Sequence, residues 1–124
     1  MTAPATADGE ASAAGTWLML AGRRIEVDAR GYLADPEDWD EALAEAMAAS
    51  DGIALDAQRW QVLRLLRAYH AEHGHSPAMR VLVRLVAAEL GAAADSRLLY
   101  RLFPQGPAKQ AARWAGLPRP TSCI

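Results

Sequence analysis

The apolar positions of this chain change their spacing along its length, and the changes mark out the elements. Residues 1–15, MTAPATADGEASAAG, are small and polar with no hydrophobic period, and they read as a disordered leader. From Trp17 the pattern becomes two short strands, Trp17 to Leu20 and Arg24 to Val27, around a glycine turn, so a β-hairpin is expected over residues 17–27. Asp28-Ala29-Arg30-Gly31 follows as a further turn that returns Tyr32 and Leu33 to the core. Helical spacing then takes over. Asp35-Pro36 offers an N-cap and an N1 proline, and Trp39, Ala42, Leu43, Ala46 and Met47 share one face that ends near Gly52. Asp56 caps a second helix in which Trp60, Leu63, Leu66, Arg67 and His70 recur at helical spacing. Val62, Leu65 and Tyr69 widen that stripe up to Gly74, which makes this the expected central helix. Ser76-Pro77 opens a third, with Val81, Leu82, Leu85, Val86 and Leu90 on its apolar face before Gly91. Asp95 caps a short fourth helix, Ser96 to Leu102, stopped by Pro104, and Gly106-Pro107 opens a fifth that runs to about Trp114 and ends at Gly116.

The expected fold class is therefore mainly α (α+β): a compact bundle of about five helices with an N-terminal β-hairpin and a mobile C-terminal arm. The expected organisation is a leader at 1–16, a helical domain at 17–116 and an arm at 117–124, the arm carrying Pro118 and Pro120 and so barred from regular helix. Composition agrees. Of 124 residues 28 are Ala and one is Phe, which favours helices over extended sheet and leaves apolar side chains for one small core only. No apolar run approaches the ~20 residues a bilayer crossing needs, and no basic segment followed by an apolar stretch opens the chain, so a soluble, cytoplasmic protein without a membrane partner is expected.

A net charge of −2 hides a gradient. Residues 1–56 hold 3 Arg against 12 acids, residues 57–95 hold 5 Arg against 3 acids, and residues 96–124 hold Arg97, Arg101, Lys109, Arg113 and Arg119 with no acid at all. The single cysteine, Cys123, lies in this basic third and is the penultimate residue. One cysteine excludes an internal disulfide and a cysteine-based zinc site. His70, His73 and His75 lack a carboxylate or cysteine at ligand spacing and are read as helix-end histidines, not as a metal site. Neither phosphate-binding glycine motif occurs, so no nucleotide or other cofactor is expected. Arg80 and Arg84, four apart on the third helix, would suit a recognition helix, but an acidic chain is poorly matched to DNA. Cys123 is different. A thiol near the end of a proline-punctuated arm, in a positive field that raises its thiolate fraction, can reach into another protein's active site, attack sulfur and carry the product away. On position alone an incidental exposed thiol is the plain alternative.

Tyr100-Arg101-Leu102-Phe103-Pro104-Gln105-Gly106-Pro107-Ala108-Lys109-Gln110-Ala111, then Ala115-Gly116-Leu117-Pro118-Arg119-Pro120 and Cys123-Ile124, resemble the C-terminal signature of the TusE/DsrC family of sulfur-relay proteins. Gly31-Tyr32-Leu33, Trp39, Gly52-Ile53-Ala54-Leu55, Trp60, Leu66-Arg67-Ala68-Tyr69 and Ser76-Pro77-Ala78-Met79-Arg80 follow the family in the same order, so the likeness covers about residues 17–124. The resemblance implies a small helical fold with a hairpin and a mobile arm, and a persulfide-forming nucleophile at Cys123. It implies a sulfurtransferase that takes sulfur from a TusBCD-like donor complex and passes it towards an MnmA-like tRNA thiouridylase, ending as 2-thiouridine at the wobble position. DsrC-type members carry a second cysteine eleven residues earlier, where this chain has Ala112, so the single-cysteine TusE type is the nearer likeness. Trp114 and His70 also depart from the family's usual aliphatic residue and tyrosine. Lys109, Arg113 and Arg119 are candidates to hold the anionic persulfide and to steer docking onto an acidic partner. The alternatives are a DsrC-like paralogue in dissimilatory sulfur oxidation, served by a DsrEFH-like donor, and a winged-helix-like regulator that binds DNA.

Overall fold

The computed structural model describes residues 16–91 and 95–120. The leader at 1–15 and the last four residues, Cys123 among them, lie outside the described residues. The chain starts with an antiparallel hairpin of β1 (Thr16–Leu20) and β2 (Arg23–Val27), in register from Thr16 opposite Val27 to Leu20 opposite Arg23. Its two-residue turn has φ of 52° at Ala21 and 73° at Gly22, the left-handed pair whose twist matches that of the strands it joins. Ile25 and Val27 point into the core, whereas β1 stays exposed along most of its length. Asp28 then accepts from the amides of Arg30 and Tyr32, making the expected turn that brings Tyr32 back to the core.

Five helices follow: α1 (Glu41–Ser50), α2 (Ala57–His73), α3 (Met79–Leu90), α4 (Ser96–Leu102) and α5 (Pro107–Trp114). Asp40, Asp56 and Asp95 cap α1, α2 and α4 through amides at the third helical position. Two starts differ from the sequence reading. Asp35 and Pro36 begin only a single 3₁₀ turn, Pro36–Asp38, because Trp39 adopts an extended conformation and Asp40 supplies a second cap. That break frees the Trp39 indole to donate to the carbonyl of Trp114 at 2.8 Å. The second difference is at Ser76-Pro77, which does not open α3. Pro77 is sunk into the core, Ala78 is extended, and helical geometry begins at Met79 without a side-chain cap.

The central helix also differs from expectation. It is α5, which packs against α1, α2, α3 and α4 and buries Ala108, Ala111, Ala112 and Trp114, together with Ala115 just beyond its end. Small alanine side chains let neighbouring helices approach a short helix on several sides at once, while the broader apolar stripe of α2 serves one side only. Around α5, Phe103 stacks at a tilt on Trp114 with ring centroids 5.4 Å apart, and Leu43, Leu63, Leu66, Leu82 and Leu99 fill the remainder of a single core. Arg59 of α2 donates to the carbonyl of Leu102 at 2.8 Å, and Arg67, two turns on, to that of Ala115 at 2.6 Å. One face of α2 thus places a cation at the C-terminal end of both α4 and α5, where the last carbonyls need donors.

Candidate functional site

The structure defines what leads up to Cys123. α5 ends at Trp114, the chain turns at Gly116, and Leu117 to Pro120 run on without regular structure. The turn is tightly held. Gly116 has φ of 74°, and a Cβ built there would lie 2.3 Å from Cδ1 of Trp39. Only glycine fits both the backbone and the space. The Trp39 ring is sandwiched in turn, with the Arg67 guanidinium 3.8 Å from its centroid. Burial lowers the Arg67 pKa from its ordinary value, since a cation enclosed between an indole and the end of α5 has lost much of its water. Trp39 and Arg67 between them satisfy the carbonyls of Trp114 and Ala115, and the Leu117 amide donates to the Ala112 carbonyl at 3.0 Å. Leu117 and Pro120 are buried. Within the first four residues of the expected arm Leu117 and Pro120 thus pack on the domain, while Pro118 and Arg119 stay exposed.

The three candidate cations meet different surroundings. Lys109 is exposed in the first turn of α5 and lines a cleft with Met79 and Tyr100. Arg119 is exposed and lines a separate groove against the end of α2, with His70, Gly74, His75, Ser76, Pro118 and Pro120. Arg113 is half-buried and its guanidinium is bound to the carboxylate of Asp51, the residue that ends α1. The same Asp51 oxygen accepts from the Trp114 indole at 2.9 Å and from the Gln110 amide at 3.2 Å. Gln110, itself buried, uses its carbonyl to take the amide of Gln105 at the entrance to α5. The structure thus sets Arg119 in a groove of its own and ties Arg113, one turn along α5 from Lys109, into a polar clasp between α1 and α5.

Asp51, Trp39 and Arg67 were missed as supports of the arm. Asp51 reads along the chain as a polar residue beside a helix-ending glycine, and its partners lie 59 to 63 residues away. Arg67 at helical spacing among apolar residues was the one local signal, since a charge on a buried stripe needs a partner. Among the histidines, His73 sits 4.1 Å from the Tyr69 ring, and among the described residues no three His, Cys, Asp or Glu side chains are grouped to hold a metal ion. Ala112, eleven residues before Cys123, is fully buried in α5.

Known proteins match this geometry. A family model described as "DsrC like protein" matches residues 19–124. The chain is 49% identical over 108 residues to sulfurtransferase TusE of Salmonella paratyphi A, covering 86% of this chain and 99% of that one. It is 50% identical to sulfurtransferase TusE of Yersinia pestis, over the same shares. Among solved structures it is similar to the oxidized γ-subunit of dissimilatory sulfite reductase (DsrC) from Archaeoglobus fulgidus. There the TM-score is 0.80 at 39% identity, covering 88% of this chain and 100% of that one. Allochromatium vinosum DsrC gives 0.78 at 41% identity, covering 89% and 99%.

Proposed function

The chain belongs to the DsrC-like family and is a sulfur-relay carrier with a sulfurtransferase role, and on that premise we propose that its cargo rides as a persulfide on Cys123. The carrying observation is that Cys123 is the only cysteine of the chain, so the relay has one thiol to use. Its thiolate attacks the outer sulfur of a donor's persulfide. A new S–S bond forms at Cys123, the donor's own S–S bond breaks, and the electron pair leaves with the donor thiolate. The reverse geometry, with an acceptor thiolate attacking the outer sulfur, unloads the carrier. With alanine buried at position 112, no second thiol of the chain can close a disulfide and expel the sulfur, so release depends on the acceptor.

The donor in this reading is a TusBCD-like complex and the acceptor an MnmA-like thiouridylase, which places the protein in the cytoplasm, indirectly in contact with tRNA, with 2-thiouridine as the end product. The name sulfurtransferase TusE of the relatives and the missing second cysteine support this over a DsrC-like role fed by a DsrEFH-like donor. No helix among the described residues is long and apolar enough to cross a membrane. Lys109 and Arg119, both exposed and free of carboxylate partners among the described residues, are assigned to persulfide and partner contact. Arg113 acts behind them by holding α5 in place. The test is intact mass after incubation with a protein persulfide donor: wild type gains the mass of one sulfur, mapped to Cys123, and Cys123→Ser gains none while keeping its fold. Sulfur retained by Cys123→Ser would overturn the proposal.

A further inference from the structure

We propose that the groove between the end of α2 and the base of the arm binds a small sulfur oxyanion bearing a sulfane sulfur, with thiosulfate as its simplest form. The inference rests on the persulfide reading and adds to it a small-molecule sulfur source. The groove has a volume of about 100 Å³ and is lined by His70, Gly74, His75, Ser76, Pro118, Arg119 and Pro120. A space of that size has room for a tetrahedral oxyanion.

Its polar side chains include a cation and no carboxylate. Arg119 is a fixed cation with no carboxylate partner among the described residues, and no carboxylate lines the groove. His75 donates from Nδ1 to the Ser76 carbonyl at 3.0 Å, so its Nε2 donates to a ligand only in the imidazolium form, and the His70 ring has no hydrogen-bond partner among the described residues. The Ser76 hydroxyl is shut off from water and is the one buried side-chain polar atom of the described residues with no partner. An orphan hydroxyl is costly to keep, and an anion seated beside it supplies the acceptor it lacks. The nearest carboxylate in sequence, Glu72, lies 3.7 Å from His73, which is not among the lining residues. An arginine cation, a hydroxyl donor and imidazoles that donate once protonated, set around a small space, are the chemistry that recognises an oxyanion.

The groove also lies within covalent reach of the thiol. Pro120 forms part of its wall, and Cys123 is three residues further on, at most about 10 Å of extended chain. The Cys123 thiolate attacks the outer sulfur of thiosulfate, an S–S bond forms to Cys123, and the bond between the two thiosulfate sulfurs breaks. Its electron pair leaves with sulfite, and Cys123 remains as the persulfide anion. No oxidant or reductant is consumed.

The test has a binding arm and a transfer arm, both on the full chain. In the Cys123→Ser protein, which cannot react, thiosulfate and sulfate are titrated while backbone amide resonances are followed. The expected result is saturable shifts at His75, Ser76 and Arg119 with both anions, weakened about 10-fold or more by Arg119→Ala and unchanged by Arg97→Ala on α4. In wild type, thiosulfate should load one sulfur on Cys123 with one sulfite released per persulfide, and Arg119→Ala and Ser76→Ala should slow loading at low thiosulfate. Absence of saturable shifts, binding of both anions without transfer from thiosulfate, or transfer indifferent to Arg119 and Ser76 would each overturn the inference. Loading by a protein persulfide but not by thiosulfate overturns it and leaves the carrier reading intact; loading by neither overturns both.

Discussion

Replacing Asp51 by alanine is expected to be among the most damaging single changes in the domain, although Asp51 is far in sequence from the signature that ends in Cys123. One carboxylate oxygen takes three donors, from Gln110, Arg113 and Trp114, and the Asp51 and Arg113 side chains are only 13% and 17% exposed. Removing the carboxylate leaves a largely buried guanidinium unpaired, which costs about 3–5 kcal/mol. It also strands the N–H of a fully buried tryptophan and a buried glutamine amide, each worth about 1–3 kcal/mol when no water replaces the partner. These losses are not additive, since one water entering the vacated space serves several donors, so about 3–5 kcal/mol is the working figure. Set against a total stability of about 5–15 kcal/mol, that removes much of the margin and lowers the urea midpoint by about 2 M. Urea unfolding followed by tryptophan fluorescence checks it. Asp51→Ala combined with Arg113→Met should lose less than Asp51→Ala alone, because the second change removes the stranded charge. A single variant within about 1 kcal/mol of wild type would refute the claim that Asp51 clasps α1 to α5.

Gly116→Ala should cost about 3–5 kcal/mol, because the added Cβ meets Trp39 at 2.3 Å and the backbone is left-handed. Gly52→Ala, with φ of 80° and open space around it, should cost only about 1–2 kcal/mol, and equal thermal shifts for the two would remove the Trp39 clash from the explanation. Arg67→Lys keeps the charge but loses the planar stack on Trp39 and weakens the bond to Ala115, for an expected loss of about 1–3 kcal/mol by chemical denaturation. Burial lowers the Arg67 pKa, so the unfolded chain binds that proton more tightly and stability gains from this group only as pH climbs into the guanidinium range; between pH 6 and 9 the difference between wild type and Arg67→Lys should be flat.

Much of the fold was legible because its signals are local. Asp56, Asp95, Gly74 and Gly91 bracket helices by rules that involve a few neighbouring residues, and the structure puts helix ends at each of them. The misreadings share a cause. Trp39 leaves the helix expected from Pro36 because its indole is needed at Trp114, and Pro77 leaves the start of α3 because the core takes it. Both are tertiary contacts outweighing local preference. The same holds for the candidate cations. A charge count places Lys109, Arg113 and Arg119 in one basic segment, but nothing along the chain shows that a carboxylate from α1 meets Arg113. The family, by contrast, was readable from the residues themselves, since the Ala115-Gly116-Leu117-Pro118-Arg119-Pro120 run encodes a packing problem with few solutions: a small residue against Trp39, then prolines that bar any further helix.

Anchoring and reach together limit how such a carrier can work. The domain is built to fix the chain direction at Gly116, through Trp39 on one side and Arg67 beyond it, and buried Leu117 and Pro120 extend that hold to within three residues of Cys123. Three residues of extended chain span at most about 10 Å. On the proposal that the cargo rides on Cys123, a donor or acceptor must bring its own sulfur to that radius, and in doing so it covers the surface around Pro120, where the groove with His70, His75 and Arg119 lies. On the same proposal, partner choice is decided less by the cysteine, which any persulfide chemistry would require, than by the few side chains that share its short radius. In this chain those side chains include the Arg119 cation and carry no negative charge, which suits an anionic cargo and disfavours a basic partner surface.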